Sequence, residues 1–187
     1  MIIKSFEINK KKIFDKQNFF LVYGENEGLK NEIIQNIRKN LKGAIETYDE
    51  TQLLNNNDLF YEKVFNQSLF EKEKIIIVNR CSEKIYEIIN NIIKKNNIDV
   101  KILLNANILD KKSKLRSLFE KSKELIVVPT YKDTTISLIE IAKKFFNNYK
   151  ISISQETINL LVSRCNGDRG HLKSELDKIL IYIQDKK

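Results

Sequence analysis

Phe19-Phe20-Leu21-Val22-Tyr23-Gly24-Glu25-Asn26-Glu27-Gly28-Leu29-Lys30-Asn31-Glu32-Ile33-Ile34 is the stretch on which the rest of the chain depends. A short apolar run closed by Gly reads as a buried strand. From Leu29 onward, Ile33, Ile34, Ile37 and Leu41 follow helical spacing. Strand, Gly-containing loop and helix is the layout of a phosphate-binding loop, where backbone N–H groups and a helix N-terminus hold phosphates. Counted from Gly24, that pattern wants Gly, Lys and Ser or Thr at positions held here by Leu29, Lys30 and Asn31. The outline is present and its chemistry is broken. Leu29 puts an isobutyl group where only Gly lets backbone approach a phosphate. Asn31 offers an amide where a hydroxyl would ligate Mg²⁺. Lys30 alone survives, and on the first turn of a helix it reads as an ordinary exposed Lys.

Outward from this stretch, apolar runs alternate with helical stripes. Ala44–Asp49, Lys74–Val78, Val100–Leu104 and Glu124–Val128 read as further strands. Between them lie a short helix ending near Phe65 with Asp58 as its cap, a stripe of Ile85, Ile88, Ile89 and Ile92, and a helix carrying Leu115, Leu118 and Phe119 capped by Asp110. Strands apolar along their whole length, alternating with helices, imply a parallel sheet covered on both faces. Pro129, the only Pro, ends that regime. Beyond it three short helices follow. Asp133 is expected to cap the first, with Leu138, Ile141, Ala142 and Phe145 on one face. Ser154 is expected to cap the second, and Asp168 the third after an Asn166-Gly167 stop. The expected organisation is an α/β domain over 1–130 and a small helical lid over 131–187, which is how AAA+ modules (P-loop NTPase-type sheets followed by a lid) are built.

A second acidic site is missing too. Ile75-Ile76-Ile77-Val78 runs into Asn79-Arg80, where a nucleotide hydrolase needs carboxylates for Mg²⁺ and water. His171 is the single His, no metal-ligand cluster is evident, and no nucleophile–base pair stands out. Cys81 and Cys165 form no Cys-x-x-Cys unit. The expectation is no enzyme activity, no cofactor and no metal. The chain of 187 residues carries 33 Lys and Arg against 25 Asp and Glu, a net charge of +8. Runs such as Lys10-Lys11-Lys12 and the cluster Lys111, Lys112, Lys114 reflect a chain rich in Ile, Lys and Asn throughout more than a single basic patch. No stretch is apolar and long enough for a bilayer span, and Met1-Ile2-Ile3-Lys4 does not begin a signal peptide, so a cytoplasmic protein without a membrane partner is expected.

Four stretches taken together carry a resemblance: Leu21-Val22-Tyr23-Gly24 with its degenerate loop; Asn66-Gln67-Ser68-Leu69-Phe70 before an apolar strand; Leu109-Asp110-Lys111-Lys112-Ser113-Lys114-Leu115; and Asn166-Gly167-Asp168 followed by Glu175-Leu176-Asp177-Lys178-Ile179. In order and spacing, over nearly the whole chain, they resemble the delta subunits of bacterial DNA polymerase III. The resemblance implies a clamp-loader subunit that binds the ring-shaped beta sliding clamp and opens one of its interfaces without hydrolysing ATP. Its partners would be the clamp, the other loader subunits and, through the assembled loader, primer-template DNA. The family inserts an exposed apolar pair into a pocket on the clamp, and the match puts that pair at Leu69 and Phe70, flanked by Gln67 and Ser68. The polar setting around Leu69-Phe70, closed by Glu71-Lys72-Glu73-Lys74, suits a projecting apolar knob. Buried in a partner, each would contribute about 1.5–3 kcal/mol, or roughly two to four decades of affinity together before ordering costs. Read without the family, the pair closes the local core between helix and strand. Delta subunits also carry a third, helical collar domain, which this chain, ending at Lys187, is expected to lack. Two other readings stay open: a divergent P-loop NTPase that still uses Lys30, and a basic DNA-binding protein.

Overall fold

The structure, a computed structural model, describes residues 1–4, 16–40, 43–65, 74–95 and 100–184. In chain order the elements are β1 (Phe19–Gly24), α1 (Glu27–Asn40), β2 (Ala44–Asp49), α2 (Glu50–Asn55), α3 (Asn57–Phe65), β3 (Lys74–Cys81), a 3-10 turn (Glu83–Ile85), α4 (Tyr86–Lys95), β4 (Val100–Ala106), α5 (Lys114–Lys121), β5 (Ile126–Thr130), α6 (Thr135–Asn148), α7 (Gln155–Arg164) and α8 (Arg169–Gln184). The five strands form one parallel sheet in the order β2-β3-β4-β1-β5.

The continuous apolar runs go where a doubly covered sheet needs them. Leu21, Tyr23, Ile76, Val78, Ile102, Leu104 and Val127 enter one core with Phe60, Ile89, Ile92, Leu115 and Phe119 from the helices. The alternate strand residues Phe20, Val22, Ile75, Ile77, Leu103 and Val128 are buried as well, so both faces are covered. Edge strand β2 alternates between half-buried and exposed positions. Pro129 lies within β5, the opposite edge, where a missing N–H is tolerated. The strand therefore runs one residue past it, to Thr130. Ile3 N–H bonds Val127 O at 2.9 Å and Val127 N–H bonds Met1 O at 3.1 Å, so a single parallel bridge covers part of that edge.

A second core joins Leu138, Ala142, Phe146, Ile158, Val162, Leu172 and Leu176 from α6, α7 and α8. Phe146 takes the buried place expected of Phe145, which packs at its margin. The two free cysteines are each buried in one of these cores, Cys81 in the first and Cys165 in the second. The chain divides into two compact units, residues 1–25 with 32–130, and residues 26–31 with 131–187.

Three expected caps fall on neighbouring residues. Asn56, not Asp58, accepts from Leu59 N–H at the start of α3. Ser113, not Asp110, accepts from Arg116 N–H at the start of α5. Thr134, not Asp133, accepts from Ser137 N–H at the start of α6. Each stretch holds more than one side chain able to cap, and the one that takes the job is the one whose oxygen lies within hydrogen-bond reach of a first-turn amide. Ser154 and Asp168 do cap α7 and α8, accepting from Thr157 N–H at 3.1 Å and His171 N–H at 2.9 Å. Asn166 and Gly167 both have positive φ, 49° and 80°, as a helix stop requires. The short helix α2 has no counterpart in the strand-and-helix pattern drawn from the sequence.

Candidate functional site

The carboxyl ends of the strands and the loop after β1 are where a doubly wound sheet takes its ligands. β1 ends at Gly24, with φ of 137° and backbone so close to β5 that a Cβ there would lie 2.1 Å from Thr130 O. Thr130 Oγ1 donates to Tyr23 O at 3.0 Å, and Gly24 N–H to Asn107 O at 3.2 Å. Gly24 is thus required by strand packing in the first unit, with no phosphate involved.

The loop itself is short, because α1 begins at Glu27. Asn26, 5% exposed, caps it: its Oδ1 accepts from Leu29 N–H at 3.0 Å and its carbonyl from Lys30 N–H at 3.0 Å. Two amides at the start of α1, those of Leu29 and Lys30, are thus taken by Asn26. Lys30 is not the exposed residue expected. It is 1% exposed, and its Nζ lies 2.6 Å from Glu27 Oε1, three residues back. A Lys on this turn faces inward, and the carboxylate one turn earlier neutralises it. Leu29 is half-buried and Asn31 exposed.

Asn26 also reaches further. Its Nδ2 donates to Tyr131 O at 2.9 Å and to Asp133 Oδ2 at 2.7 Å. Asp133, freed from the capping role, accepts Arg169 Nη2 at 2.6 Å and Nε at 2.8 Å, a two-pronged pair, and Ser137 Oγ at 3.0 Å. Its side chain is 6% exposed and that of Arg169 15%. Burial pushes the Asp133 carboxyl up, but the Arg169, Asn26 and Ser137 donors outweigh burial and hold it below the usual carboxylate value. Next to Arg169, Gly170 meets Gly28 so closely that a Cβ on Gly28 would lie 2.7 Å from Gly170 N. The first turns of α1 and α8 therefore touch backbone to backbone, within the second unit. Asn26 and Arg169 were not picked out from the sequence, and Asp133 only as a helix cap. The hint that was there is the pair of glycines, each in the first turn of a helix where Gly costs stability unless something comes close.

The end of β3 presents Asn79 and Arg80. Asn79 Oδ1 accepts from Asn105 Nδ2 at 3.0 Å, an amide pair across the ends of β3 and β4. Arg80, with φ of 57°, turns outward and pairs with Asp49. Among the described residues there is no His, Cys, Asp and Glu group able to hold a metal. His171 is half exposed and sits 3.6 Å from Glu175. In the Leu109–Leu115 stretch, Glu83 accepts from Ser113 Oγ at 2.5 Å and Lys114 N–H at 2.7 Å, so a carboxylate joins Ser113 in closing the N-terminus of α5. A groove of about 430 Å³ beside it is lined by polar and charged residues, among them Ser82, Glu83, Asp110 and Lys112, together with Ile108 and Leu109. Gln67, Ser68, Leu69 and Phe70 lie outside the described residues, in the connection between α3 and β3.

No protein-family model matches the chain, and no curated protein sequence does either. Solved structures do. The DNA clamp loader delta protein of Bacillus subtilis (YqeN) superposes with a TM-score of 0.63 at 16% identity, over 97% of this chain and 58% of that one. Domain III of the Thermotoga maritima replication initiation protein DnaA gives 0.55 at 14% identity, over 97% of this chain and 82% of that one. A Thermotoga maritima RuvB mutant gives 0.58 at 14% identity, over 96% and 62%. The chain has an AAA+-type fold. It is similar in fold to the delta protein along nearly its whole length and spans 58% of that protein's. No helix among the described residues is long and apolar enough to cross a membrane.

Proposed function

We propose that this chain is a delta-type clamp-loader subunit that binds a sliding clamp through Leu69 and Phe70 and helps open the ring during DNA replication, while ATP is bound and hydrolysed by other subunits. One observation carries the reading: an AAA+-type fold, similar over 97% of the chain to a clamp loader delta protein, in which Asn26 caps the turn after β1 and Glu27 pairs with Lys30. Leu29 N–H is capped by Asn26, Lys30 is buried against Glu27, and the end of β3 presents Asn79 and Arg80 in place of a carboxylate pair. A module so equipped is suited to holding a protein partner. Residues 1–130 would form the AAA+-like part and 131–187 the lid, with primer-template DNA and the other subunits met in the assembled loader.

The test is capture of the wild-type chain on immobilised sliding clamp, against the double variant Leu69→Ala, Phe70→Ala. Micromolar or tighter binding that weakens by about two decades or more in the double variant is expected. Equal capture of both chains would remove the site, and no capture of the wild type would remove the function.

A further inference from the structure

In the sequence, the lysines around the start of α5 are part of a charge spread along the chain; the fold gathers three of them around one groove. The groove has a volume of about 510 Å³ and belongs to the first unit, with Tyr86 of α4 on one side and Ser117 and Leu118 of α5 on the other. Lys112, Lys114 and Lys121, all exposed, complete its lining, while Tyr86 and Leu118 are half-buried. On α5, Lys114, Ser117, Leu118 and Lys121 fall at i, i+3, i+4 and i+7, which is one face of a helix. The helix buries its other face through Leu115 and Phe119. Among the described residues, Lys112 and Lys121 make no ion pair, and Lys114 Nζ lies 5.8 Å from the centre of the Tyr86 ring. No described Asp or Glu lines this groove. Glu83 and Asp110 line the adjoining one, and Glu83 is engaged by the Ser113 hydroxyl and the Lys114 amide.

We propose that this groove docks an acidic peptide segment of a partner protein, one in which carboxylates bracket aliphatic side chains. The three cations meet the carboxylates, and the half-buried surface of Leu118 and Tyr86 takes the aliphatic groups between them. Spacing sets the form of the segment. The rise from Lys114 to Lys121 is roughly 10 Å along α5, a distance that an extended chain covers in about three residues. A Glu-Leu-Leu-Glu unit matches it. A phosphate backbone would meet the lysines but leave Leu118 unmatched, and the ring on which a base would stack, Tyr86, already carries Lys114. The proposal does not depend on the clamp reading.

The experiment is fluorescence anisotropy of a labelled synthetic peptide, one Glu-Leu-Leu-Glu unit between Gly-Ser flanks, titrated with the full chain. Saturable binding is expected. Lys112→Glu combined with Lys121→Glu is expected to weaken it at least about tenfold, with thermal unfolding little changed because both side chains are exposed. Lys143→Glu combined with Lys144→Glu makes the same change of charge at exposed positions of α6 and is expected to weaken it by less than about threefold. Peptides with Gln for Glu, or Ser for Leu, are each expected to lose the binding. Absence of saturable binding, an equal loss in the α6 variant, or equal affinity for the Ser peptide would overturn the proposal. A single-stranded oligonucleotide of matched charge is titrated in parallel. Tighter binding than the peptide, lost with Lys112 and Lys121, would make the groove a nucleic-acid site and remove the peptide; weaker binding upholds the peptide. Clamp capture by the wild-type chain is read separately and bears only on the proposed function.

Discussion

Replacing Arg169 with Ala takes two hydrogen bonds, at 2.6 and 2.8 Å, from a carboxylate that is 6% exposed. Breaking a buried pair from one side costs about 3–5 kcal/mol, because the remaining charge is stranded. Asn26 and Ser137 still donate to Asp133, at 2.7 and 3.0 Å, which offsets part of that loss. A cost of about 2–4 kcal/mol follows. The reverse change, Asp133→Ala, takes the carboxylate from a guanidinium on a longer, more exposed side chain and costs somewhat less, about 2–3 kcal/mol. The double variant strands neither group, so it loses less than the two added together, and the coupling in a double-mutant cycle is about 1.5–3 kcal/mol. Acidity gives an independent handle. The folded Asp133 carboxyl titrates below its ordinary value of 3.8. Its contribution is therefore complete above about pH 4–5 and fades as pH falls through the lower folded value. The groups facing it are Arg169 on α8, Ser137 on α6 and Asn26. Because the chain has two compact units, urea unfolding by circular dichroism is best paired with hydrogen exchange over residues 135–184. A coupling below about 0.5 kcal/mol would refute the reasoning. So would a gap between wild type and Asp133→Ala that is the same at neutral pH as at about pH 2.

Gly24→Ala forces a φ of 137° on an L-residue and drives its Cβ into Thr130 O, so a loss of about 3 kcal/mol or more is expected in chemical denaturation. Repairing the loop with Leu29→Gly and Asn31→Ser is expected to leave Mg-ATP binding undetectable by calorimetry, because Asn26 still caps the turn and Glu27 still holds Lys30; micromolar binding would revive the NTPase reading. Glu46 is pushed up by burial, but Tyr48, Lys74 and Lys63 pull its carboxyl down to about 2 from 4.5. Glu46→Gln is therefore expected to cost about 1–2 kcal/mol at neutral pH, a difference that shrinks as pH drops from about 4.5 toward 2 in acid unfolding curves. DNA binding by the isolated chain, followed by anisotropy, is expected to be weak; strong binding that falls steeply with salt would favour the basic DNA-binding reading.

The sheet was legible because its strands are apolar along their length: Leu21-Val22-Tyr23 and Ile75-Ile76-Ile77-Val78 are buried on both sides, as such runs demand. What stayed hidden depended on direction and distance. Asn56 competes with Asp58, and Thr134 with Asp133, as adjacent cap formers, and composition does not say which backbone turns the right way. The slip at Asp133 mattered most, because a residue released from capping became the ligand of Arg169, 36 positions away. No spacing rule links the two. The inward turn of Lys30 was equally silent, because a Lys beside Glu27 at helical spacing is also what a solvated surface looks like. Leu69 and Phe70 rest on their sequence setting and the family resemblance, their segment lying outside the described residues.

The two cysteines have a practical use. Cys81 donates to Val78 O and Cys165 to Leu161 O, each at 3.2 Å, and burial raises both thiols above their ordinary acidity range. The thiolate is the species that alkylates, so both native thiols are slow toward maleimides while the protein is folded. A single reporter cysteine at an exposed position such as Lys94 on α4 would then take a fluorophore in an otherwise unaltered chain. The native pair would serve as a clock for unfolding, reacting only when one of the two cores opens.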